Sequence, residues 1–411
     1  MERFDVVVVG GGPAGAVTAR VAATAGASVL VLERRTRIEE PSACAGLVSP
    51  RTLSVLGASE ACVIRRLRGI TFHAPGGGSL SVRATSDRAL VVDRSVLERE
   101  LLAHAAEAGA DVRLGTTATG WRDGVVHFDS PGGEETASCA VLVGADGPES
   151  QVASWSGLRA TSRGLRAVQV EIELPPGGAD NVHVFVGRRV APGFFAWSIP
   201  AQDGRFRVGL AVGPGADPAP HVEALLAARF PEGRAVSRVD GVIPLAPGGR
   251  IVGDGVLLVG DAAAQVKPLS GGGLYFGGLC ARAAGRAAAA AAAAPHDRPA
   301  PLRHYQDACR RLIGAETQFG AAARSVRDAL DDEEWNSVLA ILDDRDLLAL
   351  VAERIDLDHL RHMVSHVVGH PSTWRTLLRL WEVVRAHAGD AFASDVLGVA
   401  RPHDESLYSA P

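Results

Sequence analysis

The chain has 411 residues, 47% of them apolar, and a formal net charge of −5. That length holds two or three domains with substantial cores, and the apolar share excludes a disordered chain. With no basic block, the charge excludes nucleic acid as an expected partner.

Residues 4–9 read FDVVVV, an apolar β-branched run. Gly10-Gly11-Gly12-Pro13-Ala14-Gly15 follows, then a helix-like segment over 16–25. A buried strand, a glycine turn and a helix start are expected in that order. The spacing Gly10-x-Gly12-x-x-Gly15 is the dinucleotide fingerprint. The first glycine allows a tight turn, the second lets backbone approach a diphosphate, and the third lets helix and strand pack closely. The helix start then offers free N–H groups and partial positive charge to the phosphates. A second short strand over 28–32 ends at Glu33, 18 positions after Gly15. An acid there is placed to hydrogen-bond a ribose hydroxyl. The fingerprint alone does not separate NAD from FAD.

A loop is expected over 34–41. The segment 42–50 has no helical or strand period but is too apolar for an exposed loop, so it is expected to pack on something. Residues 51–56 read as a helical turn. Residues 70–73 and 80–83 flank Gly76-Gly77-Gly78 as a hairpin. A strand at 90–93 leads into a helix over 94–109, with Val96, Leu97, Leu101, Leu102, Ala105 and Ala108 at helical spacing and Gly109 as its C-cap. Strands follow at 112–114, 125–128 and 139–143, the last ending in Gly144-Ala145-Asp146-Gly147.

From about residue 160 the pattern changes to strand-like runs at 168–174, 182–186, 194–199 and 206–212, with a helix at 221–230. The first style returns at 256–259 (VLLV), which ends in Gly260-Asp261-Ala262. Gly271-Gly272-Gly273 opens a helix that runs from Leu274 into an alanine tract. Residues 302–400 are helix-rich. The fold class is therefore α/β with an α+β second domain. The expected domains are a discontinuous Rossmann-like cofactor domain (1–68, 88–160 and 250–300), an inserted antiparallel-sheet substrate domain (69–87 and 161–249) and a helical C-terminal region (301–411).

The five cysteines are scattered, without metal spacing, which points to reduced thiols and a cytoplasmic protein. No signal peptide is visible, and no apolar run reaches the ~18 residues that span a bilayer. The alanine tract reads as helix rather than anchor. His362 and His366 are four apart, but without a third ligand they read as ordinary helix residues, and no metal is expected.

Three strand ends share one form: 4–15, 139–147 and 256–261. In a parallel sheet such ends line one edge, where cofactors sit. Gly10-x-Gly12-x-x-Gly15, Gly144-Ala145-Asp146-Gly147 and Gly260-Asp261-Ala262 resemble, in order, the three signatures of the flavoprotein monooxygenase superfamily. The resemblance covers about residues 1–300 and implies FAD, with Asp261 on its ribityl chain and the Asp146-Gly147 turn near both flavin and nicotinamide nucleotide. Within that superfamily, Lys267-Pro268-Leu269-Ser270-Gly271-Gly272-Gly273 departs from the hydroxylases and resembles the geranylgeranyl reductase family. Cys44-Ala45-Gly46-Leu47 is similar to that family's Cys-Gly-Gly segment. Pro192-Gly193-Phe194-Phe195-Ala196-Trp197-Ser198-Ile199-Pro200 is similar to its P-x-x-Y-x-W-x-F-P motif, with Phe195 for the Tyr and Ile199 for the Phe.

The resemblance implies a set of site residues. Gly10, Gly12, Ala14, Gly15, Glu33, Cys44, Ala45, Leu47, Arg94, Ala118, Asp261, Gly271, Gly272, Gly273 and Leu274 are expected to bind FAD. Arg94 would meet a phosphate there, and the Ala118 backbone would meet adenine. The Gly271–Gly273 amides would stabilise negative charge on the reduced flavin ring. Cys44 is the candidate catalytic residue, one that would tune the flavin or supply a proton to a reduced alkene. Phe195, Trp197 and Tyr275 are assigned to an apolar substrate. Phe195 and Trp197 are expected on one sheet face, alternating with Phe194 and Ala196. The implied activity is FAD-dependent reduction of prenyl double bonds, with NADPH or another external reductant. The implied partner is an apolar, prenyl-lipid substrate with peripheral membrane contact, and oligomeric state stays open. A flavin monooxygenase of specialised metabolism is the alternative. A halogenase is disfavoured: Trp197-x-Ile199-Pro200 resembles part of that motif, but the only lysine in the chain is Lys267. A non-catalytic FAD-binding protein is the remaining reading.

Overall fold

The computed structural model describes residues 1–39, 44–158, 162–174, 181–202, 204–245, 249–294 and 296–387. The end of the expected 34–41 loop, the start of the 42–50 segment and residues 388–400 of the helical region lie outside the described residues.

In chain order, β1 (Glu2–Val9), α1 (Pro13–Thr24) and β2 (Val29–Glu33) lead to β3 (Leu47–Val48), α2 (Pro50–Leu56), β4 (Val63–Leu67), β5 (Gly69–His73), β6 (Ser79–Arg83) and β7 (Ala89–Val92). Then come α3 (Arg94–Glu107), β8 (Asp111–Leu114), β9 (Thr117–Arg122), β10 (Val125–Ser130), β11 (Gly133–Gly144) and α4 (Gln151–Trp155). The middle of the chain gives β12 (Ser162–Glu173), β13 (Asn181–Phe185), β14 (Ala196–Pro200), β15 (Arg205–Val212), α5 (Ala219–Arg229) and β16 (Arg234–Leu245). Next are β17 (Val252–Gly253) and β18 (Val256–Leu258), followed by α6 (Leu274–Ala293), α7 (Pro299–Ala329), α8 (Asp332–Leu342), α9 (Arg345–Arg354), α10 (Leu360–Gly369) and α11 (Trp374–Val384).

The first sheet runs β17-β18-β11-β1-β2-β8, with β10 and β9 added antiparallel beside β11. Strands β11, β1, β2 and β8 are parallel. Both faces of β1 are covered, which is why Val6, Val7 and Val8 are fully buried and the run lacks alternation. Helices α1, α3 and α6 pack together on this sheet. The alanine-rich α6 lets two helix backbones approach: a Cβ on Gly285 would lie 2.6 Å from the Thr18 carbonyl oxygen. No described helix is long and apolar enough to cross a membrane.

The second sheet runs β16-β12-β15-β14-β13-β5-β6. The 69–83 hairpin joins it from an earlier part of the chain. The expected antiparallel sheet therefore contains one parallel pair, β13 with β5, in register Asn181↔Gly69 through Phe185↔His73. Helices α8 and α9 cover β6, and α11 packs on α8. A third, small sheet is β3-β7-β4.

Other expectations need correction. Strands β4, β9 and β16 have no counterpart in the sequence reading, because VIRRL, TATGWR and RAVSRVDGVIPL carry charges or polar residues that blur the apolar signal. Helix α3 ends at Glu107 with Ala108 as its cap, and Gly109 follows at φ +101°. Phe194 does not alternate with Phe195. It precedes β14 and stacks on the Phe195 ring at 4.2 Å.

Candidate functional site

At the C-terminal edge of the parallel sheet, the three expected strand ends converge on one cavity of about 1380 Å³. That exceeds the roughly 300–1,000 Å³ of a single small-ligand pocket, so the space suits two ligands end to end.

One end is shaped by backbone. Gly10 has φ +102°, and a Cβ there would lie 2.3 Å from the Ala145 carbonyl oxygen. Gly15 packs so tightly that its Cβ would lie 1.9 Å from the Gly10 oxygen. Gly12 has open space where a Cβ would stand, and no side chain caps α1 behind it. Gly10, Gly12 and Ala14 line the cavity, whereas Gly15 lies behind the wall. Glu33 ends β2 on the wall. Its carboxylate receives the Gly11 N–H at 2.8 Å, the Arg35 N–H and Nε at 2.9 Å and a longer Arg35 Nη2 contact at 3.3 Å. Burial pushes this carboxyl up, but the Arg35 and Gly11 hydrogen bonds outweigh it and hold it below its ordinary value. Arg35 continues to Glu98 at 2.8 Å, and Glu98 pairs with Arg94. Arg94 opens α3 and lines the cavity. Its Nε is buried without a hydrogen-bond partner. Burial pulls the Arg94 guanidinium down, yet Cys44 and Glu98 beside it keep it above its usual value. Ala118, on β9, also lines this end.

The middle joins Cys44 to the glycine triplet. Cys44 Sγ accepts the Gly46 N–H at 3.4 Å and sits beside Arg94. Gly46, at φ +70°, leaves room for Arg207, whose Nη1 donates to the Ala45 oxygen at 2.9 Å and the Val92 oxygen at 3.1 Å. Opposite, the Lys267 N–H donates to the Gly272 oxygen and the Gly271 N–H to the Lys267 oxygen, closing the turn before α6. A Cβ on Gly273 would lie 2.9 Å from Asp261 Oδ1, so the glycine is what lets Asp261 face the cavity. Removal from water pushes the Asp261 carboxyl up, with Arg94 opposing. Ala45, Leu47, Gly271, Gly272, Gly273 and Leu274 line this stretch. Asp146 also touches the cavity, but its carboxylate caps α4, accepting the Gln151 N–H at 2.7 Å and the Val152 N–H at 3.1 Å.

The far end is apolar. Val182, Val184, Phe195, Trp197 and Ile199 wall it, with Ile70 and Ile243 beside them. Phe195 and Trp197 face the same space at 6.2 Å. The Trp197 indole lies over Gly209 and donates to Gln169 Oε1 at 3.2 Å, which satisfies its one polar atom. Arg327 stacks on Phe194 at 4.5 Å and donates to the Leu269 oxygen at 2.7 Å.

A segment of the helical region closes the site. Lys267 Nζ donates to the Leu357 oxygen at 2.7 Å and to Asp358 Oδ1 at 2.9 Å. Ser49 Oγ donates to the other oxygen of Asp358, whose side chain is fully buried. Leu357 lines the cavity. Tyr275, expected to touch substrate, is not on the cavity wall: it is buried, with its hydroxyl 3.2 Å from His359 Nε2. Ser49, Arg207, Arg327 and Asp358 have no counterpart among the sequence expectations. Ser49 and Arg327 do have local partners, Thr52 and Asp328, but the contacts that bring all four to the site, with Asp358, Ala45, Val92, Leu269 and Lys267, come from far along the chain.

Residues 3–219 match the family described as FAD binding domain. The chain is 33% identical over 366 residues to digeranylgeranylglycerophospholipid reductase 2 of Methanothermobacter thermautotrophicus, covering 85% of this chain and 94% of the relative. It is 32% identical to the protein of the same name from Methanopyrus kandleri, covering 85% and 93%. Among solved structures, a geranylgeranyl bacteriochlorophyll reductase-like protein from Thermoplasma acidophilum shares the fold, with a TM-score of 0.81 at 21% identity over 93% of this chain and 100% of that one.

Proposed function

The chain belongs to the geranylgeranyl reductase family of FAD-dependent oxidoreductases, and from that premise we propose that it reduces carbon–carbon double bonds of a prenyl, geranylgeranyl-type substrate. The observation that carries this reading is the continuity of one cavity, from the Gly10–Gly12 turn past Cys44 and Gly271 to an apolar chamber walled by Phe195 and Trp197.

The residues fit FAD. Gly12 leaves space for a diphosphate at the uncapped start of α1, and the buried, unpartnered Arg94 Nε lacks an acceptor that a phosphate oxygen would supply. Bound there, FAD supplies two-electron hydride chemistry, and NADPH or another external donor is the proposed source of the electrons. Gly10, Gly12, Ala14 and Arg94 hold the diphosphate, and Gly15 keeps the turn tight. Glu33 takes a ribose hydroxyl in place of its weak contact from Arg35 Nη2, and the Ala118 backbone meets adenine. Asp261 orients the ribityl chain. Ala45, Leu47, Gly271, Gly272, Gly273 and Leu274 frame the ring. Phe195 and Trp197 exclude water and align an apolar chain. Cys44 holds the proton for the reduced carbon at Sγ, next to the Arg94 charge. Residues 1–68, 88–160 and 250–300 form the FAD domain in this reading, 69–87 and 161–249 the substrate domain, and 301–411 the closing helical region. The proposed working place is the cytoplasm, at the membrane periphery.

The test is anaerobic. Holoprotein is reduced, oxygen is kept out, and a geranylgeranyl substrate is added. Reoxidation of the flavin with formation of the saturated product supports the reading. Product only from an aromatic substrate with oxygen makes the protein a monooxygenase instead.

A further inference from the structure

Helix α11 is two-faced. Its inner side, Leu380, Val383 and Val384, joins the apolar cluster that also contains Phe195 and Trp197 of the cavity wall. Its outer side carries Trp374, Leu378 and Trp381, which are 58%, 67% and 38% exposed. The i, i+4, i+7 spacing puts the three on one face. The other large apolar side chains exposed among the described residues, Met1, Leu114 and Val236, are scattered over separate elements. Single exposed apolar residues are ordinary, but a contiguous strip marks a contact surface. Trp374 is held outward, because its Nε1 donates to the Val368 oxygen at 3.1 Å.

Charge narrows the partner. Arg375, Arg379 and Arg385 are exposed along the same stretch, with Glu382 as the one acid on α11. Arg379 also faces Asp344 across the neighbouring loop. A locally basic stretch on a chain of net charge −5 suits an anionic surface. A second copy fits less well. The three side chains offer a few hundred Å², below the ~800 Å² per partner of a stable interface. Two such helices meeting would also bring like charges together. Tryptophan, leucine and arginine on one short helix are the composition of an interfacial segment.

We propose that the outer face of α11 docks on a bilayer containing anionic phospholipid. Trp374, Leu378 and Trp381 enter the boundary between headgroups and acyl chains, and Arg375, Arg379 and Arg385 meet lipid phosphates. This names the surface for the membrane-peripheral reading above, and its test needs no turnover, so docking and reduction fail separately.

The experiment is flotation of the full-length, FAD-loaded protein with vesicles of phosphatidylcholine alone or with phosphatidylglycerol added. Wild type should bind the anionic vesicles at least ~10-fold more tightly than the neutral ones, with a blue shift of tryptophan emission. L378Q/W381Q should lose at least ~10-fold on both, with flavin content unchanged. R375E/R379E should lose only the anionic preference. L378Q alone, at the most exposed of the three positions, keeps the test decisive if a tryptophan variant fails to fold. Unchanged binding by L378Q and L378Q/W381Q overturns the proposal, as does wild type binding no vesicle. A variant that turns a dimer into a monomer without changing vesicle binding reassigns the face to a second copy. Binding gained only on removal of residues 388–411 reassigns it to the chain's own tail.

Discussion

At the glycine-turn end of the cavity, Gly10, Gly12 and Gly15 shape the site with backbone, within six consecutive positions. At the apolar end, Ser49, Lys267, Arg327 and Asp358 hold it with side chains drawn from distant parts of the chain. The first end tolerates no added atoms at Gly10 and Gly15, which sit against the Ala145 and Gly10 carbonyl oxygens, whereas Gly12 keeps open space beside it. The second rests on charges buried only because their partners arrive. Substitutions should therefore fail abruptly at one end and in a partner-dependent way at the other.

The largest effect is expected from Gly15→Val. Its Cβ alone would lie 1.9 Å from the Gly10 oxygen, and backbone cannot retreat as a side chain can. We expect no retained FAD and a loss of at least ~3 kcal/mol in urea unfolding, at the upper end of overpacking costs. Flavin absorbance per mole of protein is the direct readout. A G15V protein with a full complement of FAD would break the comparison at its first term.

Asp358→Ala comes next. It leaves Lys267 Nζ with only the Leu357 oxygen and leaves the Ser49 hydroxyl only Thr52 Oγ1 at 3.1 Å. Breaking a buried pair from one side costs ~3–5 kcal/mol, whereas replacing both partners by apolar groups is often close to neutral. The double variant K267M/D358L should therefore recover much of the stability that D358A loses. If the two single losses simply add, the pair is not coupled and the partner-dependent reading of this end is wrong.

The same contrast explains what the sequence made legible. The strand, glycine turn and helix at residues 2–24 follow from local chemistry, and so does the hairpin over 69–83. The convergence of residues 10–15, 144–147 and 260–261 on one edge follows from parallel-sheet topology. Asp358 had no such signal: an acid in a helix-rich tail reads as solvated until Ser49 and Lys267 are seen beside it. Tyr275 misleads for the opposite reason. It lies two positions after the glycine triplet, and Leu274 between them lines the cavity, yet on a helix the next position turns away, and the Tyr275 hydroxyl meets His359 instead. Strand β16 was invisible because Arg234, Arg238 and Asp240 interrupt its apolar pattern at the sheet edge.

A pH dependence should sharpen the picture of the closing segment. Glu316, on α7, receives the Arg361 N–H at 3.1 Å at the start of α10. Burial pushes its carboxyl from 4.5 to about 7, against the pull of the Arg361 contacts and helped by Asp356. A carboxyl raised in this way stabilises the fold below its unfolded value, and that contribution is lost as the pH rises through the folded value. Stability should therefore fall between about pH 4.5 and 7 by at most ~3 kcal/mol. Glu316→Gln should flatten that fall while leaving flavin content unchanged. Thermal melts of both proteins at pH 5 and pH 8 check it, and parallel curves would remove Glu316 as the cause.

Arg327→Lys is the smallest and most discriminating change. Arginine at this position stacks on Phe194 at 4.5 Å and reaches the Leu269 oxygen with the same planar group. Lysine keeps the charge and one donor but not the flat face, so the ring contact worth ~0.5–2 kcal/mol is largely lost. Phe194 stacks directly on Phe195, so the loss should loosen the apolar wall without touching the glycine turn. We expect FAD content to stay at the wild-type level and KM for a prenyl substrate to rise ~3- to 10-fold, with kcat less affected. The same substitution would leave KM alone if Phe195 were held by the sheet and not by the stack. A drop in FAD content would place Arg327 with the cofactor end and erase the distinction between the two halves of the cavity.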